Sequence, residues 1–218
     1  MDKKEVAVIR VVTMEDPELV NMHGRLIEAY YPALHTTSYC IQDQPTGICS
    51  PETKMLAVPK ILELARAHQD ADAIVISCCD DPAVREIRRE LQVPVIGAGS
   101  SVCALAQSYG QKVGIIGITD YAPEPYVELL KDRMINLGRP DNVNSTLDLM
   151  TETGRKGVIK LAYALKEHGA DSIALACTGM STIQIAKVIE DVCKIPVIDP
   201  VMAEGLFTYY ACLRQSNW

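Results

Sequence analysis

The chain repeats itself, and that repeat limits the fold before any single residue is considered. Residues 71–97 run Ala-Asp-Ala-Ile-Val-Ile-Ser to Cys78, pass through a helical stretch and close on Val93-Pro94-Val95-Ile96. Residues 170–198 run Ala-Asp-Ser-Ile-Ala-Leu-Ala to Cys177, pass through a second helical stretch and close on Ile195-Pro196-Val197-Ile198. A strand-helix-strand unit that occurs twice predicts a duplicated fold in which Cys78 and Cys177 end equivalent strands. A two-fold duplication would bring those strand ends to one interface, with a thiol on each side of a cleft.

Apolar β-branched runs alternate with helical periodicity along the chain, the pattern of parallel strands joined by crossover helices. Strands are predicted over 5–12, 36–41, 72–77 and 93–97, then over 112–118, 143–147, 172–176 and 195–198. Near-continuous apolarity, as in Val6-Ala7-Val8-Ile9 and Val113-Gly114-Ile115-Ile116, is expected where helices cover both faces of a sheet. Val84, Ile87 and Leu91 share one face of a helix over 82–91, and Ile185, Val188, Ile189 and Val192 one face of a helix over 182–193. The expected class is therefore α/β: two pseudo-symmetric lobes, each a four-stranded parallel sheet flanked by helices (flavodoxin-like), with the active site in the cleft between them.

The two halves are offset unequally. Val6 maps onto Val113 at an offset of 107 and Cys78 onto Cys177 at 99, so the first half carries eight more residues. The polar, Pro/Gly-containing run from Gln42 to Pro51 is the natural place for them, and it reads equally as a lid or as a surface excursion. Pro200 to Leu213 is helical and too short for a domain, so it is expected to cross back onto the first half. The lobes are accordingly 1–98 plus 200–218, and 99–199.

With 48% apolar residues a packed core is available. Met1-Asp2-Lys3-Lys4-Glu5 leads into a strand without an apolar leader, no run approaches membrane-spanning length, and the expected location is cytoplasmic. Eight cysteines in such a chain read as reduced thiols. A net charge of −7, with no basic cluster beyond Arg85, Arg88 and Arg89, argues against a nucleic-acid partner.

A lone strand-end cysteine is ordinarily a packing residue. Two at equivalent ends, on the edge where open α/β sheets bind ligands, suggest chemistry. Cys177-Thr178-Gly179-Met180 leads into a helix starting near Ser181, whose N–H groups and dipole would stabilise a thiolate. Cys78 precedes Cys79-Asp80-Asp81-Pro82, where Asp81 is a natural N-cap and Pro82 a first helical residue. Its neighbouring carboxylates would oppose ionisation, so the two thiols should differ in pKa. Acid/base groups on opposite faces of one carbon are what racemisation requires: one thiolate takes the α-proton and the opposite thiol returns one. Backbone N–H groups at the helix starts would stabilise the enolate oxygen, so no cofactor and no metal is expected.

Over essentially its whole length the chain resembles the aspartate/glutamate/hydantoin racemase superfamily. Cys78 to Pro82 is similar to the first cysteine motif of hydantoin and allantoin racemases, and Leu175-Ala176-Cys177-Thr178-Gly179-Met180 to their second. Val93 to Gly97 and Ile195 to Asp199 fit as well. The resemblance implies a cofactor-independent two-base mechanism with Cys78 serving the D isomer and Cys177 the L isomer. Candidate substrate contacts are Cys79, Asp80, Thr178, Gly179 and Met180, with Thr13 and Thr119 near the ends of the first strand of each half. A small-molecule substrate and a homo-oligomer are expected, with neither nucleic acid nor membrane as partner.

The departures bear on substrate. Acidic amino-acid racemases carry Asn-Thr after the first cysteine and His shortly after the second, where this chain has Cys79-Asp80 and Gly179. Many relatives have Asn-Pro-Asn-Thr after the first strand, where Val11-Val12-Thr13-Met14 stands here. A hydantoin or related cyclic ureide is therefore preferred over glutamate or aspartate. Maleate-isomerase-like and malonate-decarboxylase-like chemistry are rivals, though such decarboxylases keep one cysteine. A two-lobed binding protein would not account for paired cysteines. Cys78-Cys79 lacks the companions of a metal or redox site. Gly97-Ala98-Gly99-Ser100 has Val102 where a dinucleotide fingerprint needs its third glycine. His68 and His168 fall at predicted helix C-termini, and His23 and His35 lie outside the motifs.

Overall fold

The computed structural model describes the backbone of residues 3–217 and side chains as far as Arg214. Met1, Asp2 and Trp218, included in the sequence-derived limits of the first lobe, lie outside the described residues. The chain divides into two compact units, Met1–Ala98 with Val201–Trp218, and Gly99–Pro200.

In the first unit the elements are β1 (Lys4–Arg10), α1 (Pro17–Tyr30), β2 (Leu34–Cys40), α2 (Pro51–Ala67), β3 (Ala73–Ser77), α3 (Val84–Glu90) and β4 (Val95–Gly97). Helix α4 (Ala98–Tyr109) follows. The second unit continues with β5 (Val113–Ile116), α5 (Glu124–Leu130), β6 (Met134–Asn136), α6 (Glu152–Glu167), β7 (Ser172–Leu175), α7 (Gly179–Thr182), α8 (Ile185–Cys193) and β8 (Val197–Ile198), and α9 (Pro200–Asn217) ends the chain. Among the described residues the strands form two four-stranded parallel sheets, ordered β2-β1-β3-β4 and β6-β5-β7-β8. The order is the same in both, so β3 and β7 hold the same place, as the repeat requires.

Side chains alternate across a strand, and the first sheet builds two cores from that alternation. Ala7, Ile9, Ile74 and Ile76 meet Ala57, Ile61 and Ala65 of α2 and Val84 and Ile87 of α3. Val6, Val8, Ala73 and Val75 meet Ile27 of α1 and Val201 and Cys212 of α9. The terminal helix thus shares that face of the sheet with α1, and Tyr31 Oη ties the two by donating to the Met202 carbonyl at 2.9 Å. In the second unit Ile116, Ile173 and Leu175 pack on Val158, Ala162 and Leu165 of α6 and on Ile185, Ile189 and Cys193 of α8.

Several expectations need correction. The strand predicted over 143–147 is absent. Val143 is a buried turn residue, and the amides of Asn144 and Ser145 donate to the Asp148 carboxylate at 2.8 and 2.9 Å, which leaves no ladder for them to join. The edge strand is the short Met134–Asn136. The helix over 182–193 is interrupted at Gln184, which has φ +50°, so α7 is a single turn and α8 a separate helix. Its buried side is Ile185, Ile189 and Cys193; Val188 and Val192 are exposed at 44% and 37%. The 42–51 run is fastened down. The buried Gln44 donates from its Nε2 to the carbonyls of Gly47 and Thr53, and Lys60 Nζ donates to the carbonyls of Gln42 and Asp43.

Candidate active site

Cys78 stands one residue beyond β3 in a tight reversal. Its N–H donates to the Ile76 carbonyl at 2.8 Å and its own carbonyl accepts from Asp81 N–H at 3.1 Å. This turn displaces the helix start foreseen at Asp81 and Pro82. Asp81 has φ +47° and Ala83 φ +63°, and α3 begins only at Val84 without a side-chain cap. The cause is visible at Gly97, where a Cβ would stand 2.4 Å from Asp81 Cγ: the carboxylate lies against the glycine backbone instead of turning back to cap α3. Cys78 is partly exposed and touches the core beneath it, whereas Cys79 is buried. Asp80 pairs with Lys54 Nζ of α2 at 2.9 Å, and both side chains are mostly covered. That ammonium offsets part of the negative charge that the sequence places beside Cys78. Lys54 sits in no motif, and only the packing of α2 reveals it.

Cys177 has a different setting. Two residues earlier, the Leu175 carbonyl accepts from the buried Tyr126 hydroxyl at 2.7 Å, and Ala176 N–H reaches the Ile116 carbonyl at 2.7 Å. The thiol is partly exposed, and its sulfur lies 3.4 Å from where a Gly179 Cβ would be. Thr146 Cγ2 would be 2.3 Å from that same Cβ, so the site needs glycine for close approach. The expected helix dipole is much reduced, since α7 is one turn long and the amides of Met180 and Ser181 are already bonded to the carbonyls of Cys177 and Thr178. Met180, a candidate substrate contact, is fully buried in the core of the second unit, so its side chain packs there. Thr178 is partly exposed and Gly179 buried at the head of the turn. Ser181 Oγ, which sequence reasoning passed over, donates to Asp199 Oδ1 at 2.8 Å and anchors the turn to the end of β8.

The two threonines are spent locally. Thr13 Oγ1 donates to the Ile41 carbonyl at 2.8 Å and accepts from Gln44 N–H at 2.7 Å, which fastens the long loop. Thr119 Oγ1 donates to the Tyr121 carbonyl at 2.7 Å and does not cap α5, whose N-cap is Pro123. None of the eight cysteines is in a disulfide. Burial pushes Cys212 up to about 11, with Asp72 adding to the effect, and raises Cys193 and Cys40 as well, although Arg10 and the Met14 amide work against it at Cys40. These three stay protonated at neutral pH and make poor bases.

His68 and His168 stand as helix C-caps; His68 stacks on Tyr39. His23 differs from both. It is fully buried on α1, with Nδ1 2.8 Å from Ser77 Oγ, and burial, reinforced by the Arg10 guanidinium, holds its pKa well below the ordinary value. The native protein therefore refuses a proton that the unfolded chain accepts near pH 6.5, so stability is full above that pH and falls below it. The expected slope reaches about 1.4 kcal/mol per pH unit for this group. Urea unfolding at pH 7.5 and 5.5 checks it: His23→Gln should flatten the loss, and an equal loss in both proteins would contradict the assignment.

Among the described residues no helix is long and apolar enough to cross a membrane. The family model described as Asp/Glu/Hydantoin racemase matches residues 22–204. A hydantoin racemase of Rhizobium meliloti is 27% identical, covering 78% of this chain and 73% of its own. A hydantoin racemase of Paenarthrobacter aurescens is 24% identical, covering 65% of this chain, and the chain spans 62% of that relative's length. The solved allantoin racemase from Klebsiella pneumoniae superposes with a TM-score of 0.81 at 21% identity, over 98% of this chain and 89% of that one, which shows a shared fold. Matched by its family model over most of its length and sharing that fold, the chain belongs to the Asp/Glu/hydantoin racemase family.

Proposed function

We propose that this protein is a cofactor-independent racemase that inverts an α-carbon by two-base proton transfer, with Cys78 and Cys177 as the bases. The observation that carries the reading is positional. The two thiols follow β3 and β7, the strands that hold the same place in two sheets of like order, and both are partly exposed. Four of the other six cysteines are buried. In this scheme one thiolate removes the α-proton, the electron pair passes into the adjacent carbonyl as an enolate, and the other thiol delivers its proton to the opposite face. Backbone N–H groups of the two strand-end turns would meet the developing oxyanion. Cys79, Asp80, Thr178 and Gly179 border the thiols in sequence and are the proposed substrate contacts. Met180 would shape the site from beneath. Thr13 and Thr119 would act through the loops they hold. Cysteines outside disulfides fit a reducing compartment, and we place the protein in the cytoplasm as a homo-oligomer.

The proposed substrate class is a 5-substituted hydantoin or a related neutral cyclic ureide such as allantoin. A thiolate is a modest base, and the carbanion of such a ring is conjugated with a carbonyl that carries no charge. In a free amino acid the neighbouring carboxylate opposes that charge. The hydantoin racemases among its relatives, and the absence of Asn-Thr and His beside the cysteines, point the same way. The net charge of −7 offers no general attraction to a dianion. Loss of optical rotation over a panel of hydantoins, allantoin, glutamate and aspartate tests it. Higher kcat/KM on the ureides is expected, a preference for glutamate or aspartate would contradict the substrate class, and binding without turnover would favour a non-catalytic binding protein.

A further inference from the structure

His23, Ser77 and Glu204 form a buried polar chain inside the first unit that the proposed chemistry does not itself use. They come from α1, β3 and α9, and none is more than 2% exposed. Ser77 Oγ donates to Glu204 Oε1 at 2.7 Å and stands 2.8 Å from His23 Nδ1. A serine hydroxyl has one proton. With that proton given to the carboxylate, the oxygen accepts from the imidazole, so neutral His23 carries its proton on Nδ1. Two helices on the same face of the sheet are thereby tied to the residue immediately before Cys78. Arg10 reinforces the tie: it pairs with Ser77 in the β1–β3 ladder, and its guanidinium donates to the Leu19 and Val20 carbonyls of α1.

The fold itself does not ask for this arrangement. Burying a histidine and a carboxylate costs more than burying apolar groups of the same size, and the repeat supplies an internal comparison. The residue equivalent to Ser77 in the repeat is Ala176, also buried, which stands one residue beyond β7, the strand that holds the place of β3 in a sheet of the same order. A methyl group suffices there, and Cys177 is supported instead by Tyr126 on the Leu175 carbonyl. The polar chain is therefore peculiar to the Cys78 side.

We propose that His23, Ser77 and Glu204 are positioning residues for Cys78, clamping the end of β3 between α1 and α9 so that the thiol keeps one geometry during proton transfer. The proposal rests on the reading of Cys78 as one of the two bases. Small displacements of a reacting group cost up to about 100-fold in rate, so a selective loss is expected when the clamp is cut.

The test uses the full chain with Ser77→Ala, which matches the residue found in the second unit, and Ser77→Thr, which restores a hydroxyl. Two quantities are read: deuterium exchange at the α-carbon of each hydantoin enantiomer, and the ratio of iodoacetamide modification at Cys78 to that at Cys177. Ser77→Ala should slow the Cys78-dependent exchange by about 10- to 100-fold with KM little changed, leave the Cys177-dependent exchange within about twofold, and shift the modification ratio. Ser77→Thr should recover most of the loss. Should Ser77→Ala fail to fold, Ser77→Ala combined with Glu204→Met removes the stranded carboxylate and carries the same comparison. Equal losses for both enantiomers that track a lowered Tm, or no change in either quantity, would overturn the proposal. A shifted modification ratio in a protein whose wild type exchanges neither enantiomer would uphold the clamp and count against the proposed racemisation of hydantoins.

Discussion

Replacing either Cys78 or Cys177 by serine is expected to reduce racemisation about 100- to 10,000-fold, the range for removal of a general acid or base. Serine is nearly the same size and accepts the same turn, so folding should survive. The backbone contacts that shape the two reversals, Cys78 carbonyl to Asp81 N–H and Cys177 carbonyl to Met180 N–H, do not involve sulfur. What disappears is a group able to ionise near neutral pH. Iodoacetamide should inactivate the wild type for the same reason. Chelators should leave activity intact, because the scheme has no place for a metal. Cys193→Ser and Cys212→Ser serve as controls and should retain turnover, since burial keeps both thiols protonated. Substantial racemisation in the Cys78 or Cys177 variant would mean that another group does the work.

The second large effect is expected at Gly179. An alanine Cβ there would stand 2.3 Å from Thr146 Cγ2 and 3.3 Å from Leu149 Cδ1, closer than packed atoms approach, so Thr146 or the α7 turn must move. Overpacking of this kind costs about 1–3 kcal/mol. The same Cβ would touch Cys177 Sγ at 3.4 Å, so the movement falls on the proposed base as well as on the core. Gly179→Ala should therefore lower the urea midpoint and depress turnover together. Gly117→Ala is the comparison. Its Cβ would meet only ordinary contacts, the nearest at 3.5 Å, so a smaller loss than at Gly179 is expected. A Gly179→Ala protein of wild-type stability and activity would show that the turn beside Cys177 is more compliant than its contacts indicate.

What could be read from the chain follows from how local each signal is. The central strands were legible because mostly apolar runs such as Ala73–Ser77 and Ser172–Leu175 are buried on both faces, and composition alone marks such strands. The edge strand Met134–Asn136 was missed because three partly covered residues carry no such signature, while the more apolar-looking Val143 is used to plug the core from a turn. Asp81 and Pro82 carry every local mark of a helix start, but the approach of the Asp81 carboxylate to Gly97 decides the backbone there, and that contact joins two different strand ends. The strand-end cysteines were legible from the repeat. Their surroundings were not: Lys54 reaches Asp80 from another helix, and the His23–Ser77–Glu204 chain joins residues 54 and 127 positions apart. Ser77 itself gave a signal, as the one polar residue of an otherwise apolar strand.

If each thiol serves one face of the α-carbon, enantiomer-resolved deuterium exchange must show it. Each pure enantiomer of a 5-substituted hydantoin is incubated in deuterated buffer with wild type, Cys78→Ser or Cys177→Ser, and α-deuterium and optical purity are followed together, with the uncatalysed exchange subtracted. The wild type should deuterate and invert both enantiomers. Each variant should deuterate only one, with retention, and the two variants should choose opposite enantiomers: Cys177→Ser the D isomer and Cys78→Ser the L isomer. Exchange of both enantiomers by a single variant, or the same surviving enantiomer in both, would contradict the scheme.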